Sequence, residues 1–141
     1  MRIKPILFGG TGAATRTGDI GILIMRVVMG LTLALTFGRH KVPPPSWLVA
    51  DAAKMHFPLP IVFAWAAGLS ELLGGLLVAI GLLTRPAALL VCSTMVTAAF
   101  IHKPVQHPNQ EFAIAYLVIA LFLVLAGAGR YSVDTVLRKK G

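Results

Sequence analysis

Residues 61–83 read IVFAWAAGLSELLGGLLVAIGLL, a run of 23 positions whose only ionisable side chain is Glu71. As a helix rising about 1.5 Å per residue, this run is roughly 35 Å long, enough to cross a hydrocarbon layer of about 30 Å. Lipid tolerates an acid poorly at such a depth; an isolated charge there costs about 2.5 to 3.5 kcal/mol on insertion scales. Glu71 therefore marks a face turned toward protein. Ala64, Gly68, Glu71, Gly75 and Ala79 recur at steps of four, three, four and four, which sets the acid in a stripe of small residues that lets a second helix approach closely.

Outward from this run lie three more apolar stretches, at 20–37, 86–101 and 112–129, and the four together carry just two charged residues, Arg26 and Glu71. The whole chain of 141 residues is 57% hydrophobic and 13% charged, with a mean hydropathy of +0.82. Soluble domains carry about 25% charged residues, and a soluble domain of this size cannot hide so much apolar surface from water. The composition also excludes a disordered chain, and the lack of repeat periods excludes collagen and coiled coil. Lipid offers backbone groups no partners, and four segments cannot close a barrel, so the spans must be helices. The fold expected is an all-α transmembrane antiparallel four-helix bundle with both termini cytoplasmic. Its parts are a cytoplasmic N-terminal segment at 1–19, a membrane domain at 20–129 with helices at about 20–37, 61–83, 86–101 and 112–129, an outer loop at 38–60, and a basic cytoplasmic tail at 130–141.

The orientation follows from the lysines and arginines. Arg2, Lys4, Arg16, Arg85, Arg130, Arg138, Lys139 and Lys140 fall on the side shared by the termini, against Arg39, Lys41, Lys54 and Lys103 on the other. Such a bias in short loops places the termini in the cytoplasm. The net charge of +8 then reflects topology and attraction to anionic lipid. The lipid bilayer is the first partner implied, and nucleic acid is not one, since no soluble face carries a basic stripe. Cys92 is the single cysteine, which rules out an intrachain disulfide. The opening residues make a poor signal peptide, because charge and Pro5 interrupt any early apolar core.

Between the spans the signals are mixed. Thr84 and Arg85 before Pro86 make a tight hairpin, with the proline suited to a first helical turn. Pro43, Pro44 and Pro45 favour an extended crossing of the outer surface with Trp47 near the headgroups, while a short interfacial helix over 47–57 is an equal alternative. Gly9, Gly10, Thr11 and Gly12 have no preceding strand and no Gly-Lys-Ser/Thr ending, so they read as a flexible lead-in rather than a phosphate loop.

Chemistry is expected where lipid would reject the side chain. Arg26 lies about two turns inside the first helix, and Gly30, Leu33, Phe37 and Lys41 continue its face at steps of four, three, four and four. Arg26 and Glu71 are expected to face each other, with close packing of the first two helices. Three readings stay open: a structural ion pair that sets register, a polar ligand or proton site, or a snorkelling Arg26 with a protonated Glu71. Ser93, Thr94 and Thr97 offer hydroxyls that either line a cavity or bond their own helix. His40, His56, His102 and His107 gather toward the outer side with Lys41, Asn109 and Glu111. Their spacing matches no metal motif, so they read as interfacial histidines and no metal site is expected. Glu111 also suits a helix N-terminus on dipole grounds.

The ordered set of Arg26 with Gly30, then Phe37, Gly38 and Lys41, then GLSELLGGLL at 68–77 and GLLTR at 81–85, resembles the DoxX family of small bacterial membrane proteins. Asn109, Glu111, Tyr116 and the closing GAGRYSVD at 127–134 resemble the same family, and the likeness covers about residues 22–135. The resemblance implies a multi-pass inner-membrane protein associated with redox systems. It also implies a quinone as the lipid-soluble cofactor, none of it intrinsic to the chain, and membrane oxidoreductases as partners. Its enzyme role would be at most that of a quinone-using oxidoreductase subunit. Arg26 and Glu71 become the candidates for binding the quinone oxygens or relaying protons, with Gly74 and Gly75 leaving room beside the ring. The ligand-binding set so implied is Arg26, Gly30, Phe37, Lys41, Glu71, Gly74, Gly75 and Glu111. Two alternatives of other classes stand beside this: a non-catalytic scaffold or assembly partner, and a binder or carrier of a small lipophilic molecule. Four helices without an internal repeat have no second half to rock for alternating access unless the chain forms a homo-oligomer.

Overall fold

A 26-residue helix, α1 (Arg16–Lys41), opens the structure, a computed structural model that describes residues 15–101 and 110–140. It is α-helical to Thr32, widens to a π turn at Leu33–Phe37 and closes in a 3-10 turn at Gly38–Lys41. There follow a short α2 (Ser46–Lys54), then α3 (Pro60–Ile80), α4 (Thr84–Ile101), α5 (Gln110–Ala126) and α6 (Val133–Lys140). The described residues are all-helical apart from turns. Helices α1, α3 and α4 are long and apolar enough to cross a membrane, at about 39, 32 and 27 Å. Gly9, Gly10, Thr11, Gly12, His102, Lys103, His107 and Asn109 lie outside the described residues.

Local chemistry explains the ends of these helices and shifts them from the expected bounds. Thr15 caps α1, its hydroxyl accepting from Gly18 N at 3.2 Å, so the helix starts before residue 20. Pro60 takes the first turn of α3, where its missing N–H costs nothing. At the other end Gly81 turns left-handed (φ 74), and Leu82 N donates back to Leu77 O at 3.0 Å, so α3 stops at Ile80 rather than 83. Gly127 (φ 79) likewise ends α5 before 129. The outer loop carries the short helix α2, not an extended crossing alone.

In lipid, helices associate through close packing rather than through water exclusion, and α1 against α3 shows how. A Cβ on Gly30 would strike Gly75 O, Ala79 N and Ala79 Cα, and one on Gly75 would come within 2.7 Å of Gly30 O. Further along, a Cβ on Gly38 would lie 2.5 Å from Leu72 N. The backbones themselves touch, as the small-residue stripe on 64–79 implied. Ala64, Gly68, Glu71, Gly75 and Ala79 are all buried. Leu33, Val78, Val91, Met95 and Leu123 fill the core between α1, α3, α4 and α5. The opposite faces are apolar and exposed: Ile20, Ile24, Val28, Leu31 and Leu35 on α1, and Ile114, Val118, Leu121, Phe122 and Leu125 on α5.

Residues 130–135, expected to begin a tail, fold back into the structure. Asp134 is 2% exposed and accepts from Leu83 N (Oδ1, 2.7 Å) and Thr84 N (Oδ2, 2.9 Å), while its own N–H donates to Gly81 O at 2.9 Å. Leu83 has no side-chain cap to offer α4, so the cap comes from a residue fifty positions away. Replacing Asp134 by alanine strands both amides and should cost about 1 to 2 kcal/mol. Thermal unfolding in detergent should show this as a midpoint several degrees lower, with Asp134→Asn, which keeps one acceptor oxygen, falling less.

Candidate functional site

Three of the long helices carry a π turn. The π turns Leu33–Phe37, Ser70–Gly74 and Thr97–Ile101 each widen the backbone by one residue, a feature that is rare and concentrates at functional sites. Glu71 sits in the second of them, 1% exposed. Its Oε1 accepts from Lys41 Nζ at 2.7 Å, and Lys41 is itself mostly covered. The pair exists because glycines allow it: a Cβ on Gly68 would fall 2.6 Å from Lys41 O, and one on Gly38 would fall 2.8 Å from Glu71 C. Without side chains at these two positions the last turn of α1 lies directly on α3. The second carboxylate oxygen, Oε2, is buried and has no hydrogen-bond partner among the described residues.

Beside the pair is a cavity of about 410 Å³, walled by Leu33, Phe37, Trp47, Met95 and Tyr116, with His40, Asp51 and Gln110 as its further polar groups. Phe37 and Tyr116 meet edge to face with ring centres 5.9 Å apart, and Tyr116 shares a hydrogen bond with the Thr32 hydroxyl. A second cavity of about 400 Å³ lies on the other side of Lys41, Trp47, Asp51, Glu71 and Ala98, which line both. The site is thus an aromatic chamber with Lys41 and two acids, Glu71 and Asp51, at its wall, of the size that holds small organic ligands.

Arg26 does not reach Glu71, and the expected facing pair is corrected. Arg26 is 1% exposed, donates from Nη2 to Tyr131 O at 2.7 Å, and packs against Gly81 at the far end of α3. Gly81 lies ten residues beyond Glu71, roughly 15 Å along the helix axis. The guanidinium reaches toward the folded-back segment rather than toward mid-helix, and Lys41 takes the place assigned to it. Of the other expected ligand residues, Phe37, Lys41 and Glu71 line the cavity, while Gly30 and Gly75 form the α1–α3 seam. Gly74 faces Val91 and Ala87 of α4, and Glu111 is exposed outside the lining. Thr94 donates to Ser70 Oγ at 2.9 Å, whereas Ser93 and Thr97 bond carbonyls of their own helix. His40 lines the cavity, and among the described residues no cluster could hold a metal ion.

Trp47, Asp51, Gln110 and Met95 carried no site signal in the sequence reading, because α2 and the start of α5 come to the chamber only through the fold. For Lys41 a signal existed: it stands four residues beyond Phe37 on the face that begins at Arg26.

A family model described as DoxX matches residues 21–104. Inner membrane protein YqjF of Escherichia coli (strain K12) is 32% identical over 130 residues, which cover 86% of this chain and 95% of that protein. No solved structure matches. The apolar helices, the family match over more than half of the chain and the near full-length likeness to an inner-membrane relative agree: the chain is a multi-pass inner-membrane protein and belongs to the DoxX family.

Proposed function

We propose that this protein is the quinone-interacting subunit of a membrane redox system, a four-span antiparallel bundle with both termini cytoplasmic. The observation that carries the reading is the buried, unpartnered Oε2 of Glu71 at the wall of an aromatic chamber, beside a lysine held on Oε1. A buried polar atom without a partner is costly, so Oε2 is a place where a donor from a ligand would be favoured. Helix α5 is the fourth span: it is apolar over 17 residues, about 26 Å, and exposes a continuous apolar face. The lysine and arginine bias supports the orientation.

The residues present fit a quinone ring. Phe37, Tyr116 and Trp47 offer flat apolar walls, Lys41 Nζ can donate to a ring oxygen, and Glu71 Oε2 can accept from a ring hydroxyl. When bound, the quinone supplies a two-electron, two-proton couple, and the electrons come from a partner oxidoreductase. Within this chain Lys41 orients a ring oxygen and offsets its negative charge, Glu71 holds a proton at Oε2, and the aromatic walls keep bulk water away. Asp51 and His40 lie on the same chamber, on the route a proton would take toward the aqueous side.

Glu71→Gln keeps the shape and removes the acid. Quinone-dependent activity in membranes containing the partner proteins should fall about a hundredfold, the ordinary scale for a positioned acid or base, while the protein accumulates normally. Unchanged activity would end the quinone reading. The scaffold alternative makes the Lys41–Glu71 pair a tie between α1 and α3, and it expects the reverse result, lost accumulation with no change in activity per molecule.

A further inference from the structure

The two cavities differ in kind, although they share a wall. The first is rimmed by His40, Asp51 and Gln110. The second runs between α2, α3 and α4 and is lined by Met55, Phe57, Phe63, Ala67, Leu90 and Ile101 among others, with hydroxyls of Ser70, Ser93, Thr94 and Thr97 and, at the wall it shares with the first, Lys41, Asp51 and Glu71. Phe63, Leu90 and Ile101 are 40%, 55% and 48% exposed, all on the flank of apolar helices that faces lipid. This cavity therefore opens sideways toward acyl chains. Alanines at 64, 66 and 67 keep it empty, since larger apolar residues there would fill it. Its inner end is the Lys41–Glu71 pair, the same two side chains that close the first chamber.

We infer that the ligand is an amphiphile that occupies both cavities, with its polar ring in the first and an apolar chain in the second, entering and leaving sideways from the bilayer. The inference rests on the quinone reading and adds the class of quinone: chain-bearing rather than a bare ring. A ring held at Lys41 and Glu71 lies beside Ala98 and Trp47, which also line the second cavity, and a chain attached to it on that side lies where the alanines leave space. The chain packs against Phe63, Ala67 and Leu90, and because lipid is as apolar as these side chains, what it adds to the affinity of the ring comes from close packing rather than from leaving water. The second cavity also explains why a site deep in the protein needs no opening through the packed α1–α3 seam.

The test uses the full chain in nanodiscs and two probes at equal mole fraction of lipid: a methylnaphthoquinone without a chain, and the same ring carrying a polyisoprenyl chain. Binding is read from quenching of Trp47 in a Trp65→Phe background. The chain-bearing probe should bind about tenfold tighter in the otherwise unaltered protein, through packing of its chain. Ala67→Phe, which narrows the second cavity, should bring the two affinities to within about twofold while leaving the bare ring unchanged. Ser93→Phe, from the facing helix, should do the same, so poor folding of one variant does not decide the result. A tenfold preference that survives both variants, or an equal loss for both probes, overturns the inference and leaves the cavity to bilayer acyl chains, with the quinone reading intact. If neither probe binds the unaltered protein, the quinone reading falls and this inference with it.

Discussion

Lys41→Met is expected to lower the stability of the protein by about 3 kcal/mol, because it leaves the Glu71 carboxylate in the core without its counter-charge. Both oxygens of Glu71 would then lack a partner among the described residues, where Oε2 has none to begin with. The size comes from the asymmetry of buried pairs: a complete pair adds little net stability, but half of one is a stranded charge. The double variant Lys41→Met with Glu71→Gln removes the charge and should recover most of the loss. Accumulation in membranes and the midpoint of thermal unfolding in detergent measure it. If Lys41→Met behaves like the unaltered protein, the ion pair contributes nothing and the geometry at 2.7 Å is without energetic meaning. Exchanging Arg26 with Glu71, by contrast, should not rescue anything, because the two groups are held by different neighbours.

The second large effect belongs to the seam. Gly30→Val puts a branched side chain where Gly75 O, Ala79 N and Ala79 Cα already stand, and these are backbone atoms that cannot turn aside. α1 and α3 must move apart, which opens the contact at Gly38 and draws Lys41 away from Glu71. A loss of about 3 kcal/mol or more is expected, seen as protein that fails to accumulate. Gly21→Val on the same helix is the control, because a Cβ there meets nothing within 4 Å. Equal accumulation of the two variants would show that the seam is not tightly packed. Equal loss would show that valine in α1, rather than contact with α3, is responsible.

Much of this was legible in the sequence for a simple reason. An apolar run of membrane length admits only a helix, and small residues at steps of three and four identify the side on which another helix lies. The burial of Arg26 and Glu71 and the α1–α3 contact through Gly30 and Gly75 were readable that way, while the family showed only as a resemblance in the ordered motifs around them. Partners were not. Periodicity reports the face a residue occupies but not its level relative to a residue on another helix, and a shift of ten residues along α3 separates Glu71 from the end where Arg26 is held. The cap of α4 was hidden for a related reason: Leu83, at the N-cap position, has no capping side chain, and Asp134 becomes the cap only when the chain returns to it.

The one-dimensional pattern determined that this protein lies in the membrane as helices and that two of its ionisable groups face inward, because the free energy of placing charge in lipid depends on each residue's own surroundings. Which cation neutralises Glu71, which acid closes α4 and where the chamber opens were decided only by the three-dimensional arrangement. Those outcomes depend on distances of a few ångströms between segments remote in the chain, set by where glycines let backbones touch.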